Sequence, residues 1–133
     1  MSFEEILGEV MATSDRFGHR QHVHLTWLAV RRHGVPAATG LVAEGIQRTA
    51  TAAGAPQKYH ATMTRAWVEL VGHAAGDAEG TEAADFDAFA DRHPDLFDKD
   101  LLSRYYRPET LAAGKETWAE PDLAPFPAQR LTA

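Results

Sequence analysis

Residues 59–71 read Tyr59-His60-Ala61-Thr62-Met63-Thr64-Arg65-Ala66-Trp67-Val68-Glu69-Leu70-Val71. From His60, the residues Met63, Thr64, Trp67, Leu70 and Val71 return at steps of three and four, the period of a helix with one buried face. The spacing predicts a helix from about Gln57 to Ala75, and the same test applied outward finds three more before it. Ser2 and Glu5 form a capping box ahead of the stripe Phe3, Ile6, Leu7, Val10 and Met11, so the first helix runs to about Ala12. A second spans His19 to His33 and ends at Gly34, the residue type that closes helices in the left-handed region. Val35-Pro36 starts a third, with the stripe Ala38, Leu41, Val42, Ile46, Thr49 and Ala53, closed by Gly54 and Pro56. Gly40 and Gly45 weaken it locally and allow close packing.

Downstream the pattern thins. Gly76 to Gly80 reads as a flexible connector, Phe86, Phe89 and Ala90 as a short helix stopped by His93-Pro94, and Lys99 to Tyr106 as a further turn or two. Pro108 restarts a helix that Gly114 ends, and Pro121, Pro125 and Pro127 exclude regular structure beyond Trp118. No stretch alternates with period two. The expectation is an all-α protein: an antiparallel bundle of about four helices with a short helical C-terminal cap and an extended Pro-rich tail. Residues 1–118 would form one helical domain and 119–133 an extended or partly disordered tail, as 133 residues suit a single core.

Composition narrows the function. Acidic residues outnumber basic ones by 19 to 13, and no Lys/Arg cluster is longer than Arg31-Arg32, so the charge pattern of a nucleic-acid binder is missing. Six acidic and seven basic side chains precede Gly76, and thirteen and six follow it, spread along the chain. No apolar run reaches the roughly 20 residues of a membrane span, and the start Met1-Ser2-Phe3-Glu4-Glu5 is acidic where a signal peptide is basic. A cytoplasmic protein without nucleic-acid or membrane partners is expected. With no cysteine, any metal must sit on His, carboxylate or Tyr.

Seven histidines stand out, four of them between His19 and His33. On the second helix His19, His22 and Thr26 share a face, while His60 heads the stripe of the fourth. If those helices face each other, three imidazoles converge near one end of the bundle, the way bundles build internal metal sites. The expected chemistry is a small metalloenzyme with one transition metal, zinc, iron or copper, on His19, His22 and His60, acting on a small organic molecule between helices two and four. His22, His60, Tyr59 and Thr64 would be catalytic, and Trp27, Thr26, Thr62, Trp67 and Tyr105 would bind substrate. No carboxylate falls on that inner face, since Glu69 points about 180° away from His60 on an ideal helix.

Two alternatives stay open. A metal-free site would use His22 or His60 as general base of a lyase or isomerase. A non-catalytic binding or accessory module would instead spend each ring on a backbone carbonyl, Thr or Tyr, as buried polar groups require. His24, His33 and His73 are expected on the surface, and His93 at a helix end. Tyr105 and Tyr106, beside Arg104 and Arg107, would form a lid over an anionic group or a solvated helix end. An exposed apolar face on helix one or three would support a homodimer.

Phe17-x-His19-x-x-His22 with Trp27, Tyr59-His60-x-Thr62-x-Thr64-x-Ala66-Trp67, Pro94-Asp95-Leu96, Arg104-Tyr105-Tyr106 and Pro121-Asp122 follow one another in this order. From Ile6 to Asp122 the chain resembles a set of small bacterial all-helical proteins that share this order of motifs. The resemblance implies a recurrent architecture and no particular reaction. Members of that set tend to carry a carboxylate after the second-motif histidine and an Asn before Pro-Asp-Leu, where this chain has Ala61 and His93.

Overall fold

The computed structural model describes residues 2–12, 14, 16, 18–76, 86–98, 100–124 and 126. The connector from residue 77, Phe17, Lys99 and the tail from residue 127 lie outside the described residues. Among those described there are six α-helices and no strand. They are α1 (Phe3–Met11), α2 (His19–His33), α3 (Val35–Ala52), α4 (Ala61–Gly76), α5 (Phe86–Arg92) and α6 (Pro108–Ala113). Tight helical turns at Pro56–Lys58, Pro94–Phe97 and Leu101–Arg104 join them. No helix among the described residues is long and apolar enough to cross a membrane.

The N-cap of α1 and the glycine that ends α2 are those the sequence predicts. Ser2 accepts from the Glu5 amide while the Glu5 carboxylate accepts from the Ser2 amide. Gly34 alone separates α2 from α3, and its φ of 82° is the conformation that a side chain would resist. The core is the mutual packing of α2, α3 and α4, with α1 laid across α2 and α3. Ion pairs Glu9–Arg32 and Glu4–Arg48 tack α1 down at the rim, and Phe3 lies against Gly45.

One difference from the sequence expectation matters. Helix α4 begins at Ala61, not Gln57: Pro56–Lys58 close a separate turn, and His60 stands outside the helix immediately before its first residue. Of the expected tail, residues 119–124 and Phe126 are described. Leu123 donates to the Tyr105 carbonyl at 2.9 Å, and Phe126 is fully buried among Tyr105, Tyr106 and Trp118. The end of the described chain is part of the core, because its aromatic ring supplies apolar area that a small domain needs.

Two glycines of α3 give opposite expectations. A methyl at exposed Gly40 meets nothing within 4 Å, so Gly40→Ala should stabilise by up to about 1 kcal/mol through helix propensity. A methyl at Gly45 would overlap the buried Phe3 ring, and the cost of overpacking, about 1–3 kcal/mol, should exceed that gain. Urea unfolding of the two single variants should shift the midpoint in opposite directions.

Candidate functional site

The structure does not gather the three expected imidazoles. Position 60 is where the expectation fails. The Met63 amide donates to His60 Nδ1 at 3.1 Å, which makes the ring a side-chain cap for α4, and His60 Nε2 then carries its proton toward the Leu111 carbonyl at 2.8 Å. Both ring nitrogens are engaged, so His60 has no lone pair left for a metal and none for a general base. His19 Nε2 donates to the Leu96 carbonyl at 2.8 Å and its ring meets Trp67 edge-on at 4.7 Å. Only His19 and His22 are brought together, their rings stacked with centroids 6.4 Å apart. Among the described residues no group of three or more His, Asp or Glu is placed to hold a metal ion. The donor set therefore does not fit a transition-metal centre on His19, His22 and His60.

The other motif residues lock the C-terminal third onto the bundle. Ala61 and Thr62 donate their amides to the carbonyls of Lys115 and Gly114, two of the donors that a helix start otherwise leaves open. The Thr62 hydroxyl sits at 2.7 Å from the Gly114 carbonyl and 3.1 Å from that of Thr117, and accepts from the Ala119 amide at 2.9 Å. A side chain at Gly114 would collide with that hydroxyl. Tyr106, which burial keeps protonated far above the usual tyrosine range, donates to the Ala119 carbonyl at 2.7 Å. Asp122 accepts from the Arg107 amide and the Thr110 hydroxyl, which hold its carboxyl below the usual range.

Of the remaining expected site residues, Thr26 donates to the His22 carbonyl of its own helix at 2.8 Å, and Trp67 is core. Thr64 is buried and its amide donates to the His60 carbonyl. Tyr59 is half-buried behind the turn Pro56–Lys58. Tyr105 lines a different cleft, beside Arg104 and His93.

Trp27 is the exception. It is 1% exposed, it packs against Phe86 and Phe89, and its indole Nε1–H has no hydrogen-bond partner among the described residues. It forms part of the wall of a cleft of about 590 Å³ between α1, α2 and the start of α5. His24, expected on the surface, lies in that wall half-buried, stacked flat on Phe86 with centroids 4.1 Å apart and planes 9° apart. Burial and then the nearby Arg20 push its pKa down, which favours the neutral ring. Two ion pairs frame the opening, Arg20–Asp87 at 2.9 Å and Arg32–Glu9. Sequence reasoning named Trp27 as a substrate contact but placed the pocket between helices two and four and His24 on the surface; the residues that complete this cleft come from α1 and α5.

In comparisons with protein-family models, curated proteins and solved structures, nothing matched the chain.

Two expectations test this account. Thr62→Val removes a hydroxyl that both gives and takes hydrogen bonds and leaves the Ala119 amide without its acceptor. It should cost about 2–3 kcal/mol and speed amide exchange selectively across residues 111–119. Burial, then the neighbouring His19, lowers the pKa of His22 from 6.5 to about 4. Between those values the unfolded chain binds a proton that the native state refuses, so stability falls as pH drops through that window, by about 3 kcal/mol in all. Urea unfolding between pH 7 and pH 4 should show this loss in the native chain and a shallower one in His22→Gln.

Proposed function

We infer that the protein is a small cytoplasmic helical binding module, built as a bundle whose neighbouring helices run antiparallel. It takes a small organic molecule in the cleft between α1, α2 and α5. One observation carries this reading: the indole N–H of Trp27, a residue of that cleft's wall, is buried and has no hydrogen-bond partner among the described residues. A buried donor left unpaired costs on the order of 1–3 kcal/mol, and a ligand oxygen would recover it. The ligand class follows from the walls. A carbonyl or carboxylate oxygen would pair with Trp27 Nε1 once a shift of the ring or its neighbours opens that buried atom to the cleft, and a flat apolar body would lie against Val10, Leu28 and Phe86.

Binding is favoured over catalysis because the carboxylates of the cleft are already paired. Glu9 and Asp87 are paired with Arg32 and Arg20, and His24 is held flat against Phe86. A metalloenzyme on His19, His22 and His60 would require His60 to abandon both its hydrogen bonds and with them the cap of α4.

The test is a titration of ¹⁵N-labelled protein with small aromatic and aliphatic carboxylic acids and amides, following the Trp27 indole signal assigned through Trp27→Phe. A compound of this class should move that signal together with those of Gln21 and His24, and should bind at least about tenfold more weakly to Trp27→Phe, a loss of about 1.4 kcal/mol. An indole signal that no compound moves, or binding unchanged in the variant, would sink the reading. Protein purified without an affinity tag should hold no stoichiometric transition metal. A full retained equivalent would restore the metalloenzyme reading.

A further inference from the structure

A second cleft, of about 400 Å³, opens on another part of the molecule, between the C-terminal half of α4, the end of α5 and the turns Pro94–Phe97 and Leu101–Arg104. From Gly76 onward the sequence carries thirteen carboxylates against six basic residues. The cleft reverses that balance: Arg92, Arg104, His73 and His93 line it against the single carboxylate of Asp95. Arg92 is exposed and forms no ion pair among the described residues. Arg104 reaches Asp95 only at 3.5 Å, with both side chains more than half exposed, a contact worth little and easily opened. The His93 ring is set against Phe89 at 4.8 Å, which fixes one side of the opening.

The net charge of −6 does not oppose an anion here. At physiological ionic strength charges beyond about 8 Å are largely screened, so the nearest groups decide. Two guanidinium forks suit the oxygens of a phosphate, which each can meet with paired N–H donors. The volume exceeds what an orthophosphate ion needs, and Leu70, Leu96 and Tyr105 offer an apolar surface beside the charged rim. We propose that this cleft binds a phosphomonoester of a small organic alcohol or phenol, its phosphate held by Arg92 and Arg104 and its body lying on Leu70, Leu96 and Tyr105. The site is independent of the Trp27 cleft and does not rest on it.

Calorimetric or NMR titration with phenyl phosphate, with inorganic phosphate and with sulfate at constant ionic strength tests the proposal. Phenyl phosphate should bind at one site, more tightly than inorganic phosphate, and shift the amides of residues 92–96 and 104–105. Arg92→Gln should weaken it about tenfold or more. Asp95→Asn should strengthen it severalfold, because it removes the competing carboxylate from Arg104. Arg48→Gln, a cation on α3 paired with Glu4, should leave it unchanged. Binding that is absent at millimolar ligand, equal for sulfate and phenyl phosphate, indifferent to Arg92→Gln, or weakened by Asp95→Asn overturns the proposal. All three variants change exposed side chains, and circular dichroism confirms that each is folded.

Discussion

The start of α4 is the constraint on which the rest of the structure depends. A helix leaves its first four amides without partners inside itself, and here the first turn lies where two parts of the chain meet. Ala61 and Thr62 find the carbonyls of Lys115 and Gly114, and Met63 finds the His60 ring. The same ring then reaches Leu111 with its other nitrogen. Through these bonds a helix end and a segment fifty residues downstream satisfy each other, and neither can be removed without leaving buried polar groups unpaired. The tight approach at Gly114 and the buried ring of Phe126 follow from that docking.

How far the sequence could be read depended on whether the deciding interaction was local. The bounds of α2 were legible because Gly34 closes it and His19 opens a clean periodic run. The capping box of α1 and the stop of α5 at His93-Pro94 were legible for the same reason. The start of α4 was not. Gln57 and Lys58 fit a helix by propensity, yet they close a turn of their own, and the true boundary is set by carbonyls from residues 114 and 115 that no local pattern announces. The error of a few residues had a large consequence, because a histidine inside a helix points along its stripe while a histidine before the first residue turns back over the helix end.

The candidate site was hidden for a related reason. Trp27 was expected among the substrate contacts, and it is buried in the core. What marks it out is a missing partner, and absence of a partner is a property of everything packed around the ring. His24 looked exposed because its helical position lies off the main stripe, but Phe86 covers it from α5. That contact spans a stretch whose composition says only that it is acidic and rich in small residues. Aromatic residues that attract each other across a long connector leave no periodic trace in the sequence.

The motifs that suggested a metal site are better explained as two halves of a fastening. His19 holds the carbonyl of Leu96 in Pro94-Asp95-Leu96, His60 and Thr62 hold residues 111–119, Tyr106 holds Ala119, and Asp122 holds Arg107 and Thr110. Each motif grips the backbone of another or of the chain beside it. A histidine in a sequence motif therefore supports catalysis only if its ring keeps a free nitrogen after the backbone has been satisfied. His60 does not, and His22, stacked on His19 and kept neutral by burial, stands outside the linings of both clefts described here.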